Sequence, residues 1–466
     1  MATKTFCIIV GVAALVGPVA GCEVELDSGD DEARPIASED ALVIPGIVRA
    51  IEGARALDRS RGLAARENAP AAIGEVAATI TVSGRVLQLD GSDVSFVSVA
   101  IPGQGAALTD AAGNFTIPNV TTPYDIVVAL HQEGETSAIV YRGLTRPDPR
   151  LIGFPGKGFT AELSGTVSGG AGFPLPADQQ TLLGVFTDLR EVGVAPIVDP
   201  TTGAYSQTVG WGYRPTTSAH FIGLQFRLNG SGQVTSFTGA ATGAFTLTDG
   251  GAVVLPITLG PVATTTIAGT YSLPDDYTFL VKVSATESGS FDALGIVTDT
   301  VDTGTFSFAA PVIAGQSNLV LIGGSSPTGS SVQMYRRSIP AGATGIAIDA
   351  PRAADMIFPF EGAVDVDHDT TFLTTDFPEG IFLFQWFGRA GDPTFTLVSA
   401  EPVARIPDLS SLGISLPPST SYSFAPVELG PFTGMDDFTA PTGPLPSPDL
   451  IIANTNGINF TTSADP

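Results

Sequence analysis

The chain is poor in cysteine, histidine and basic charge, and each shortage narrows what it can be. Only Cys7 and Cys22 occur among 466 residues, both near the N-terminus. Neither can staple the long remainder, so each domain must rely on its own core, a metal or its neighbours. Three histidines, His131, His220 and His368, are scattered along the chain. A His-rich metal centre or a Ser-His-Asp triad would need separate domains to converge. Twenty-one basic residues face 47 acidic ones, for a formal net charge of −26. Such a polyanion is repelled by phosphate backbones, which argues against a nucleic-acid partner. No G-x-S-x-G elbow, H-E-x-x-H, P-loop or dinucleotide fingerprint occurs. The expectation is a protein that is not an enzyme. Carboxylate-pair hydrolysis stays open, because carboxylates are plentiful and their separation in space is not legible here.

What is present suits β structure. Charged residues make up 15% of the chain, below the roughly 25% of an average globular protein, so Thr and Ser must supply much of the surface polarity. With 54 glycines and 36 prolines, the chain falls short of the roughly 25–30% that signals disorder. Hydrophobic residues reach 43%, with 27 phenylalanines, enough apolar matter for several cores. The length suits three to five domains.

Met1 to Lys4 give a short basic start, and Thr5 to Ala20 form an apolar stretch. That is a signal-peptide core, short of the roughly 20 residues that span a bilayer. It ends in Val19-Ala20-Gly21-Cys22, which resembles the lipobox of bacterial lipoproteins. The resemblance implies cleavage before Cys22, diacylglycerol on its thiol and acylation of the new amino terminus. Two or three chains on one residue suffice for stable anchoring. Glu23 rather than Asp follows the cysteine; by similarity to enteric lipoproteins, that favours the outer membrane. The other long apolar stretch, Gly251 to Gly269, is broken by Pro256 and Pro261 and reads as strands.

From Glu23 to Asp40 there are eight acids and one base, Arg34. Such a segment repels itself into an extended, disordered form. Ile47 to Asn68 then reads as a short amphipathic helix carrying Arg49, Arg55, Arg59, Arg61 and Arg66. These arginines either meet anionic headgroups or envelope polymer, or simply face solvent beside Glu52, Asp58 and Glu67. As a flexible coil the tether would hold the first domain on the order of 40 Å from the anchor.

Past residue 75 a loose repeat appears. Three segments open with a small residue and glycine in a strand: Ser83-Gly84, Ser164-Gly165 and Ala268-Gly269. Each is followed by a glycine before an aromatic: Gly113-Asn114-Phe115, Gly203-Ala204-Tyr205 and Gly304-Thr305-Phe306. The pattern predicts a positive-φ hairpin glycine and an aromatic facing inward as the next strand begins. The spacing is that of β-sandwich modules. Thr109 to Ile117, following Val97 to Ile101, resembles the carboxypeptidase regulatory-like family of seven-stranded sandwiches. In that family the module is an accessory without catalytic residues. Pro359 to Val364, Ile381 to Phe387 and Tyr422 to Phe424 resemble a fibronectin type III or related Ig-like sandwich.

The sequence therefore predicts an all-β chain, with tandem Ig-like or transthyretin-like β-sandwiches behind a disordered lipoprotein tether. The expected division is a signal peptide over 1–21, an acidic tether with a short helix over 22–75, and the regulatory-like sandwich over 76–158. Further sandwiches follow over 159–262 and 263–350, then the fibronectin-like one over 351–440. Residues 441–466 read as a Pro-rich tail with an Asn456-Gly457 turn.

Two constellations are candidates for ligands. Asp365, Asp367 and Asp369 have the D-x-D-x-D spacing of a calcium loop, with Asp376 at the twelfth position. Position six is Thr370 rather than glycine, and a plain solvated loop is the competing account. Trp211 and Tyr213 stand among glycines, where flat rings can present themselves to a sugar; core packing is the competing account. Trp386 lies in an alternating apolar strand and reads as core. The leading expectation is a non-enzymatic lipoprotein of the cell envelope, held to the membrane by lipid. It would present stacked sandwiches for adhesion, scaffolding or contact with envelope proteins. A glycan-binding accessory lipoprotein is the alternative, and no cofactor is expected beyond the candidate calcium.

Overall fold

The computed structural model describes residues 79–464. It leaves out 88–92, 95, 133–134, 154–158, 188–195, 212–214, 231–232, 278, 288–290, 300–302, 378–379, 390 and 442–448. The signal segment, Cys22, the acidic tether and the arginine-bearing helix lie outside the described residues. No described helix is long and apolar enough to cross a membrane. Gly251 to Gly269 forms strands, with Pro256 and Pro261 in the connections between them.

The chain is all-β, and its strands follow from two-residue periodicity. In Thr79–Leu87, Val82, Gly84 and Val86 face inward while Thr81, Ser83 and Arg85 face out. This strand pairs antiparallel with Asn114–Thr121 and parallel with Arg150–Ile152. The other sheet of the first module is built from Ser98–Ile101, Gly105–Leu108, Tyr124–Gln132 and Glu135–Leu144. The next two modules reuse the plan. Phe159–Gly169 pairs antiparallel with Ala204–Trp211 and parallel with Ala252–Val254 and Ile257–Leu259. Ala263–Ser272 pairs antiparallel with Thr303–Val312 and parallel with Ile346–Asp349.

The two repeated motifs prove to be halves of one contact. Gly84 is in register with Phe115, Gly165 with Tyr205 and Gly269 with Phe306. A β-carbon on Gly84 would stand 2.5 Å from the Phe115 ring and 2.5 Å from the Pro149 carbonyl oxygen. At Gly165 the clash would be with the Tyr205 hydroxyl and the Leu255 carbonyl, and at Gly269 with the Phe306 ring and the Ile346 carbonyl. Glycine is needed because an aromatic ring lies over it while a parallel neighbour presses from the side. All three aromatics are buried, as expected.

The glycine before the aromatic has the expected positive φ in two modules only. Gly113 and Gly203 have φ of +72° and +75°. In each turn an aspartate, Asp110 or Asp199, accepts hydrogen bonds from backbone N–H groups two to four residues on. Neither turn is a hairpin between paired strands: each lies where the chain passes from one sheet to another. Gly304 lacks a positive φ and sits inside its strand opposite Tyr271.

The modules do not follow one another as separate beads. Glu135–Leu144 of the first module pairs in parallel with Thr394–Ser399 of the last. From there the sheet runs through Ile381–Phe387, Ser421–Gly430 and Asp449–Asn454, then into Ser331–Ile339 and Ser317–Ser325 of the third module. The whole sheet has 14 strands. Thus the last module lies between the first and the third, joined to both by main-chain hydrogen bonds. Edges that would otherwise invite foreign strands are covered this way.

Residues 441–466 are a correction to the expected tail. Asp449–Asn454 and Ile458–Thr462 are strands, with Leu450, Ile451, Ala453 and Phe460 buried. Phe460 belongs to an aromatic core with Phe372, Trp386 and Phe424, where the Phe372 and Phe424 rings are 4.5 Å apart. Trp386 is core, as read. The second module keeps its own three-stranded sheet. It meets the third through Phe226 and Phe237 packed toward Ala309 and Ile313, and through Phe237 N–H donating to Thr264 Oγ1 at 2.9 Å.

Candidate functional site

Of the candidate aromatic platform, Trp211 is described, and it is buried. Trp211 ends a strand in which Tyr205, Val209 and Trp211 all face inward. Its side chain is 4% exposed and leans on Phe159, with ring centroids 6.2 Å apart. Strand alternation places it in the core, so its ring has no free face for a sugar. Tyr213 lies outside the described residues.

The aspartate loop does not form a calcium shell. Asp367 Oδ1 accepts from Asp369 N–H at 3.0 Å and from Thr370 Oγ1 at 2.8 Å, while Asp367 N–H donates to Thr370 Oγ1. The carboxylate therefore caps its own turn. Asp365 adopts a positive φ at the strand end, Asp369 sits 4.0 Å from Arg405, and Asp376 is exposed beyond Phe372–Thr374. Among the described residues no three His, Cys, Asp or Glu side chains are grouped to hold a metal.

Two open grooves do exist, and both use Arg142 on Glu135–Leu144, at the seam between the first and last modules. One, of about 550 Å³, is lined by Arg142, Asp367, His368, Asp369, Arg405 and Asp408. The other, of about 380 Å³, includes Arg142, Glu401, Met435, Asp436 and Asp437. Arg142 Nη1 reaches the Val403 carbonyl at 3.4 Å, and His368 Nδ1 lies 3.1 Å from the Ile406 carbonyl. Hydrogen bonds from the Ser410 side chain and N–H hold the Asp408 carboxyl below its ordinary value.

The seam is fastened by Asp436, on the one-turn helix Met435–Phe438. Its carboxylate accepts from Thr145 N–H at 3.0 Å, from the Thr145 hydroxyl and from Arg146 N–H. Burial pushes the Asp436 carboxyl up, but these bonds outweigh it and hold the group below its ordinary value. Arg150 adds N–H to the Thr439 carbonyl at 2.8 Å and Nη1 to the Pro441 carbonyl at 3.1 Å. Nothing in the sequence signals this pairing, since its partners are nearly three hundred residues apart.

Among the described residues the 14-stranded sheet ends at Gly105–Leu108, which pairs there with Ser98–Ile101 alone. Its last residue, Leu108, is 67% exposed, and Phe96 is 73% exposed with a φ of +59°. A bulky apolar residue in the left-handed region is uncommon and costs conformational energy.

No protein-family profile matches the chain, and no curated protein matches it. Solved structures do. A leucine-rich repeat protein from Bacteroides thetaiotaomicron is 7% identical, covering 41% of this chain and 26% of its own, with a TM-score of 0.17. The Bacillus anthracis TIE protein is 10% identical over 59% of this chain and 51% of its own, at 0.16. The first three fibronectin domains of chicken CNTN1 are 10% identical over 66% of this chain and all of theirs, at 0.16. The chain thus spans about a quarter and about half of the first two. Scores this low do not amount to a shared arrangement of the whole chain.

Proposed function

We propose that the chain is a non-enzymatic envelope protein, lipid-anchored through Cys22, which presents a multi-module β body for adhesion or protein contact. Two features support this reading. The Val19-Ala20-Gly21-Cys22 run and the acidic stretch after it have the chemistry of an anchor and a spacer. The observation that carries the reading is the shared sheet. Pairing of Glu135–Leu144 with Thr394–Ser399 and of Ser331–Ile339 with Asp449–Asn454 joins three modules by main-chain bonds. A body so joined resists bending between modules, which suits presentation of a surface at a distance from a membrane. Among the described residues the edge at Gly105–Leu108 carries no further strand, and with Phe96 and Leu108 exposed it would offer backbone groups and apolar side chains to a partner strand.

Protease treatment of intact cells tests the presentation. The expected result is loss of the full-length chain while a periplasmic marker survives. Full protection would confine the protein to the periplasm and remove the adhesion role.

A further inference from the structure

Glu428 is a carboxylic acid buried at the joint between the third and last modules. It lies on Ser421–Gly430, opposite Phe382 on one side and Ala453 on the other, and is fully buried. Its Oε2 has no hydrogen-bond partner, and its Oε1 is 2.6 Å from the Thr455 hydroxyl. That hydroxyl is also 2.9 Å from the carbonyl oxygen of Ala354, in the link between the two modules. A threonine hydroxyl has one proton to give. If it donates to Ala354, the short contact to Glu428 is satisfied only when the acid is the donor. If it donates to an ionised Glu428 instead, the Ala354 carbonyl loses its proton, and a buried charge remains with one bare oxygen.

The surroundings tie this proton to the joint. Asn456, in the same turn as Thr455, donates Nδ2 to the Thr328 carbonyl at 3.1 Å, on the third module's hairpin. Asp355 in the link accepts from Ser330 Oγ at 3.0 Å and Thr328 Oγ1 at 3.3 Å, while its N–H donates to Thr375 Oγ1 at 2.8 Å. Of the elements packed on Glu428, the flanking strands present Phe382 and Ala453 and the turn presents neutral Thr455 and Asn456. The link brings Asp355, an acid that disfavours a second negative charge.

We propose that Glu428 keeps its proton while the joint is closed, and that this proton latches the third module to the last, so that the joint tightens as the medium acidifies. Burial pushes the Glu428 carboxyl up to about 8, with Asp355 adding to the rise, while the Thr455 hydroxyl and the nearby Ala354 N–H dipole favour the ionised form and oppose it. Opening returns the group to its ordinary value of 4.5. Between those values the closed form holds a proton that the open form has lost. The opening constant therefore rises about tenfold per pH unit and levels off once both forms are ionised.

The test is amide exchange in the full chain, corrected for intrinsic rates, across pH 5 to 9. Exchange should be read in Asp449–Asn454 and Ser331–Ile339. The wild type should show the tenfold-per-unit rise and then a plateau; Glu428→Gln should be flat. An equal slope in Glu428→Gln overturns the proposal. Should that variant not fold, infrared spectroscopy of the wild type decides. A protonated-carboxyl stretch at neutral pH that disappears above pH 9 is expected, and its absence overturns the latch.

Discussion

Gly269 and Phe306 face each other across an antiparallel strand pair, with the ring 2.6 Å from where a β-carbon on the glycine would stand. The same relationship recurs in the first two modules, so it is a rule of construction rather than a local accident. Gly269→Ala should destabilise its module by about 1–3 kcal/mol through overpacking. Gly230→Ala, where nothing lies within 4 Å, should stay within about 0.5 kcal/mol. Denaturant unfolding of both variants checks the pair.

Removing residues 441–466 should be severe, because it strips Asp449–Asn454 from between two strands and bares both of their edges. Size-exclusion chromatography should show aggregate or an expanded chain. A true tail would leave the elution volume of the folded protein nearly unchanged.

Much of this was legible in the sequence, and the rest was hidden for identifiable reasons. The small-residue–glycine and glycine–aromatic motifs stand out as repeats, but register across strands is not written in either one. Leu450-Ile451-Ile452-Ala453 is only a short apolar run beside a proline cluster, so a strand there is hard to tell from a tail. Alternation in Ser421–Gly430 puts Glu428 on the inward face of Tyr422 and Phe424, but the apolar Val427 and Leu429 on either side make the acid read from sequence as the outward residue. The strand is buried on both faces in its second half, and that depends on neighbours from distant sequence. The alternating aspartates mimic a calcium loop because capping a turn and ligating a cation both call for short carboxylates.

Trp211→Ala should cost about 3–5 kcal/mol of stability, as truncation of a buried aromatic does. Loss of thermal stability in calorimetry would agree with its place against Phe159. A neutral effect on stability would place the ring outside the core.

Asp436→Ala should loosen the seam between the first and last modules by about 1–2 kcal/mol at neutral pH, a figure reduced for its partial exposure. The carboxyl is held below its ordinary 3.8. Its contribution is therefore present above that value and is lost as pH falls through the depressed one. Amide exchange around Thr145 and Arg146 should thus separate wild type from variant at neutral pH and bring them together in strong acid.

The lipid anchor is tested most directly by mass spectrometry of the N-terminal peptide of membrane-extracted protein. The account predicts a mature chain starting at Cys22, carrying diacylglycerol on sulfur and an acyl group on nitrogen. Recovery of an unmodified peptide that still begins at Met1 would contradict it.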